Sequence, residues 1–142
     1  MKVTGFMLSG EFDKYLHICV VNGLSRLGPD PNNYNWNKYR RLFNQAVKYE
    51  KVGDIVSAMD IYDFIMDNYI PFGVEYYERP ANICEKLGER EAALHLYRLA
   101  LLNHIMCEDK DTRDLVWDVF KPRIERLLKM LGREDEPTLY FE

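Results

Sequence analysis

The sequence predicts a small all-α protein of antiparallel helix pairs, and three observations predict it. Apolar residues recur at three- and four-residue steps through most of the 142 residues. Gly and Pro punctuate those segments where helices should stop. A five-residue block, Glu50-Lys51-Val52-Gly53-Asp54, returns as Glu85-Lys86-Leu87-Gly88-Glu89 at an offset of 35 residues. No segment reads as a strand.

In chain order, the first helix is expected over residues 9–28. Ser9 is an N-cap, Glu11 and Asp13 favour the first turn, and Phe12, Tyr15, Leu16, Cys19, Val20, Leu24 and Leu27 form its apolar stripe. Gly28-Pro29 ends it, and the Pro-, Asn- and Asp-rich stretch to Asn35 is a loop. A second helix runs from about Trp36 to Val52. A third runs from about Ile55 to Tyr69, with Ala58, Ile61, Tyr62 and Ile65 on one face. A fourth ends at Leu87, before Gly88, and a fifth covers Arg90 to Met106. The fifth is apolar nearly all round (Leu94, Leu96, Leu99, Leu101, Leu102, Ile105), as a helix packed on both sides should be. Thr112 caps a last helix ending near Leu131 and Gly132, with a kink or break expected at Pro122. Residues 133–142 are a polar, then aromatic tail. It is either a frayed end or a tag that docks in a groove.

The repeat extends beyond the five-residue block. At the same offset Ala46 falls on Ala81, Ala58 on Ala93 and Tyr62 on Tyr97. A small residue lets two helix backbones approach, and the aromatic fills the space beside it. Gly53 and Gly88 permit a left-handed turn. These residues resemble the tetratricopeptide repeat, a helix–turn–helix unit of about 34 residues. The resemblance covers roughly residues 39–104 and implies repeats at 36–71 and 74–107. These would stack as a short right-handed superhelix flanked by helices 9–28 and 112–132 in one domain of 1–142. Departures are present: Leu42 and Tyr77 stand where the family has Trp, and Gln45 and Pro80 where it has a large apolar residue. Pro80 is expected to delay or kink its helix.

In that family the first helix of each pair lines a concave groove. Carried over by position, the groove face holds Arg40, Phe43, Asn44, Val47, Lys51, Glu78, Arg79, Asn82 and Lys86. Asn amides, Arg forks and an apolar floor suit a peptide or helix of another protein. Phe43, Val47 and Glu78 interrupt the pattern by which some members clamp a terminal carboxylate. The competing reading is that these residues form ordinary solvated helix faces.

Other classes find little support. Carboxylates form no catalytic motif, and there is no phosphate loop or nucleophile elbow, so neither an enzyme nor a cofactor is expected. His104 and Cys107 are three apart, but no second pair completes a metal site. Three cysteines at long spacings (Cys19, Cys84, Cys107) read as reduced, mostly buried thiols. A net charge of −4 argues against general nucleic-acid binding. Lys121, Arg123, Arg126, Lys129 and Arg133 make either a local basic patch or a solvated face on which Glu125 pairs with Lys121 and Lys129. No run approaches the ~20 apolar residues of a membrane helix, and Gly5, Ser9, Gly10 and Glu11 interrupt the start too early for a signal peptide. A cytoplasmic protein is therefore expected. Its partner is another protein or peptide. The alternative is a homodimer sealed by exposed Trp36, Tyr76 and Trp117 together with the tail.

Overall fold

The computed structural model describes residues 36–104 and 109–139 of the chain. Within them the chain is all-α, with five helices and no strand: α1 (Trp36–Lys51), α2 (Ile55–Asn68), α3 (Glu75–Lys86), α4 (Arg90–His104) and α5 (Lys110–Met130). The helix expected over 9–28 lies outside the described residues. Helices α1 and α2 pack as one pair, α3 and α4 as a second, and α5 lies against α4.

The two turns inside the pairs have the same geometry. Gly53 N–H donates to the Glu50 carbonyl at 3.0 Å and Asp54 N–H to the Tyr49 carbonyl at 2.9 Å. Gly88 and Glu89 repeat this with Glu85 and Cys84 at 3.0 and 2.8 Å. This is the Schellman arrangement, which satisfies the last carbonyls of a helix and needs a left-handed residue. Gly53 and Gly88 supply it with φ of 83° and 78°. Asp54 then caps α2, accepting from Ser57 N–H at 3.1 Å and Ser57 Oγ at 2.8 Å.

The core follows the repeat. Ala46, Ala58 and Tyr62 in the first pair, and Ala81, Ala93 and Tyr97 in the second, are completely buried. Helix α4 is buried on both sides, between α3 and α5, as its all-round apolarity predicts. The pairs join through aromatics. Tyr76 of α3 meets Tyr39 edge-on at 5.2 Å and Phe43 at 4.7 Å, and Phe43 also lies 5.7 Å from Tyr62. Tyr76, expected to be exposed, is therefore core.

The structure narrows two proline expectations and corrects a cap. Helix α3 starts at Glu75 and runs through Pro80 to Lys86, so Pro80 does not delay it. Burial of the Pro80 ring, with Tyr76 and Tyr77 on the same helix, offsets the lost hydrogen bond. Helix α5 is likewise unbroken at Pro122. The carbonyl that loses its partner belongs to Asp118, an exposed residue that water can reach. The cap of α5 is Asp109 rather than Thr112. Asp109 Oδ1 accepts from Asp111 N–H at 3.1 Å, and Thr112 Oγ1 donates to Asp109 Oδ2 at 2.8 Å. Asp109 precedes the first turn, where a carboxylate reaches unpaired N–H groups and suits the helix dipole.

Beyond α5, a third Schellman turn forms: Gly132 N–H donates to the Lys129 carbonyl at 3.1 Å and Arg133 N–H to the Leu128 carbonyl at 2.8 Å. It sends residues 133–139 back along α4. Of the two readings of the tail, these residues follow the docked one.

Candidate interaction face

Helices α1, α3 and α5 are linked side by side by polar bridges that repeat along the chain. In the first pair, Tyr62 Oη of α2 donates to Glu50 Oε2 of α1, and Arg79 Nε of α3 donates to the same oxygen at 2.9 Å. In the second, Tyr97 Oη of α4 donates to Glu85 Oε2 of α3 at 2.5 Å, and Arg126 Nη2 of α5 lies 2.8 Å from Glu85 Oε1. Each bridge is a Tyr and a Glu from one pair and an Arg from the next helix. Helix α5 thus stands to the second pair as α3 stands to the first. Burial, then the neighbouring carboxylates, push the Tyr62 and Tyr97 hydroxyls far above the usual phenol range, so both stay protonated donors.

Further ion pairs reinforce the alignment. Arg40 of α1 pairs with Glu75 of α3, and Arg123 of α5 pairs with Glu78 of α3 at 2.7 Å. Half-exposed pairs of this kind contribute about 0–1 kcal/mol each. Their effect is to fix which helix edges meet rather than to supply the bulk of stability.

The residues proposed for the groove divide into two groups. Asn44, Lys51, Asn82 and Lys86 are exposed on α1 and α3. The rest are committed to the fold. Phe43 is 3% exposed and Val47 is half-buried against the core. Arg40 is held by Glu75, by the Tyr76 hydroxyl at 3.3 Å and over the Phe43 ring at 5.5 Å. Glu78 and Arg79 are the bridge residues just described. Spacing alone did not identify Glu50, Glu75, Glu85, Arg123 and Arg126 as cross-linking residues. The Glu–Tyr half of each bridge had a signal, since Glu50/Glu85 and Tyr62/Tyr97 belong to the repeat. The arginines had none.

Four of the five basic residues from Lys121 to Arg133 are likewise spent internally, while Lys129 is exposed. Arg123 and Arg126 face Glu78 and Glu85 of α3, Arg133 pairs with Glu91 and Glu136, and Lys121 lies 3.9 Å from Glu125. Of the aromatics invoked for a dimer, Trp117 is exposed and Tyr76 is buried. The side chain of Trp36 is outside the described residues.

His104 is not presented as a ligand. Its Nδ1 lies 2.7 Å from the Ala100 carbonyl, and its Nε2 accepts from Gly73 N–H at 3.0 Å, so both ring nitrogens are engaged in the neutral form. Cys107 lies outside the described residues, and among those described no three His, Cys, Asp or Glu side chains cluster as metal ligands. Cys84 is a free buried thiol whose pKa is pushed up by that burial. Burial lowers the His104 pKa below its ordinary 6.5. The unfolded chain therefore binds a proton that the folded chain refuses. Stability is full above about pH 6.5 and falls as pH drops toward the folded value, by at most about 1.4 kcal/mol per pH unit. Urea midpoints measured between pH 7.5 and 5 should fall for the wild type and stay flatter for His104→Gln. Parallel curves would show that another group carries the effect.

No helix among the described residues is long and apolar enough to cross a membrane. No family model, curated protein or solved structure matches the chain.

Proposed function

We propose that the protein is a non-catalytic interaction module of tetratricopeptide type, whose α1–α3–α5 face receives a peptide or helix of another protein. The observation that carries this reading is the alignment of three helices from separate pairs by the Glu50–Arg79, Arg40–Glu75, Glu78–Arg123 and Glu85–Arg126 bridges. Those bridges make one rigid surface from residues distant in sequence. On it, the Asn44 and Asn82 amides offer both donors and acceptors, and Lys51 and Lys86 offer cations. A segment carrying carboxylates and a free main chain matches that chemistry.

The test uses the four exposed residues, because Arg40 and Arg79 are structural and altering them would disturb the helix alignment itself. Immobilised full-length protein is compared with the Asn44→Glu/Lys51→Glu/Asn82→Glu/Lys86→Glu variant for capture of proteins from native lysate, and each captured protein is then titrated in pure form. The variant should melt within a few degrees of the wild type and bind at least 10-fold more weakly. Equal affinity for both forms would remove this face as the binding surface.

A further inference from the structure

Residues 133–139 fold back onto α4, where Arg133 pairs with Glu91. Arg98 leaves α4 with only 2% of its surface exposed. Its Nε donates to the Thr138 carbonyl at 3.1 Å and its Nη2 to the Pro137 carbonyl at 2.8 Å, and Glu136 Oε1 lies 3.5 Å from the same Nη2. Leu139 is 6% exposed and lines a small cavity with Leu101 and His104 of α4 and Arg113, Asp114, Val116 and Trp117 of α5. Residues 134–135 form a turn, closed by Glu136 N–H donating to the Arg133 carbonyl at 3.1 Å, and Pro137, which has no N–H to satisfy, follows it, so the segment reaches Arg98 out of a turn.

A desolvated guanidinium is tolerated only when its donors are used. Here they are used on two main-chain carbonyls and a carboxylate. Main-chain carbonyls belong to any peptide, so the site reads two carbonyls, a carboxylate that Arg133 of the same segment also holds, and an aliphatic residue three positions after that carboxylate. The site is thus built to read a short linear segment rather than one sequence-specific neighbour.

We propose that this strip of α4 and α5 is a docking site for a short acidic-x-x-Leu segment of a partner protein, and that Glu136–Leu139 of the chain occupies it in cis until displaced. The site lies apart from the α1–α3–α5 face and stands or falls independently of it. Because a tethered segment acts at an effective concentration of roughly millimolar, a partner must outcompete it or wait for its release.

The test follows a fluorescein-labelled peptide, Arg-Glu-Asp-Glu-Pro-Thr-Leu, by anisotropy against the full chain. Leu139→Glu removes the aliphatic side chain from the cavity and frees the tail. This variant should bind the peptide at least 10-fold more tightly than the wild type, and adding Arg98→Gln should abolish the gain. Circular dichroism checks that each variant is folded. If Leu139→Glu is not, Glu136→Lys, which sets a cation against Arg98, serves in its place with the same expectation. Equal binding by wild type and tail-released protein, or a gain that survives Arg98→Gln, would overturn the proposal. So would a wild-type dimer that Arg98→Gln dissociates, since it would put the tail of a second copy in the site.

Discussion

Tyr77→Phe should destabilise the chain by about 2–4 kcal/mol although it removes a single oxygen, because that oxygen leaves two buried polar groups without a partner. Tyr77 is completely buried in α3. Its hydroxyl donates to the Pro71 carbonyl at 2.7 Å and accepts from Asn103 Nδ2 of α4 at 2.8 Å. Burial raises the hydroxyl pKa, so it stays a donor at every accessible pH. Pro71 belongs to the connection between the two helix pairs, and that connection is fastened a second time where Gly73 N–H meets His104. Losing the Tyr77 bond therefore loosens the hinge that sets α1 beside α3. Urea unfolding should show a lower midpoint with an unchanged slope. The double variant Tyr77→Phe/Asn103→Leu should recover part of the loss, since it removes one of the orphaned groups. A single-variant loss below about 0.5 kcal/mol would mean that water satisfies both groups and that the hinge is held elsewhere.

Phe120→Ala is expected to cost about 3–5 kcal/mol, the range for emptying a closed aromatic site. Phe120 is fully buried on α5, its ring 5.2 Å from that of Tyr97 on α4, and the Arg123 guanidinium lies 5.9 Å from its centroid. The same contact seats α5 so that Arg123 and Arg126 reach Glu78 and Glu85. The variant should thus lose amide-exchange protection first in α5, with the first helix pair less affected. Uniform loss of protection across all helices would show instead that the described helices open as one cooperative unit. Both variants also bear on the proposed interaction face, because each weakens an alignment on which that face depends without touching an exposed residue of it.

Several features were legible in the residues themselves. Three-and-four periodicity marked the helices, and the ends near Lys51, Asn68 and Lys86 follow from Gly53-Asp54, Pro71 and Gly88. Each of these signals acts within about one helical turn, through a hydrogen bond or a backbone preference that needs no distant partner. The late start allowed for Pro80 and the break allowed for Pro122 do not occur for the same reason: proline's local penalty is visible in sequence, while the burial or solvent access that offsets it is not. Tyr76 was misplaced because an aromatic at a helix start looks alike whether it meets water or Phe43.

By itself, then, the sequence determined an all-α chain, two matching turns and the small and aromatic residues that let paired helices close. The tertiary structure alone decided which charges are spent and which remain exposed. Arg79 and Glu50 are 29 residues apart, Arg126 and Glu85 41, and Arg98 reaches carbonyls 39 and 40 residues away. A long flexible cation has many acidic or carbonyl partners within reach in an unfolded chain. Only the packing of the helix pairs around the small residues, with α5 against α4, selects one.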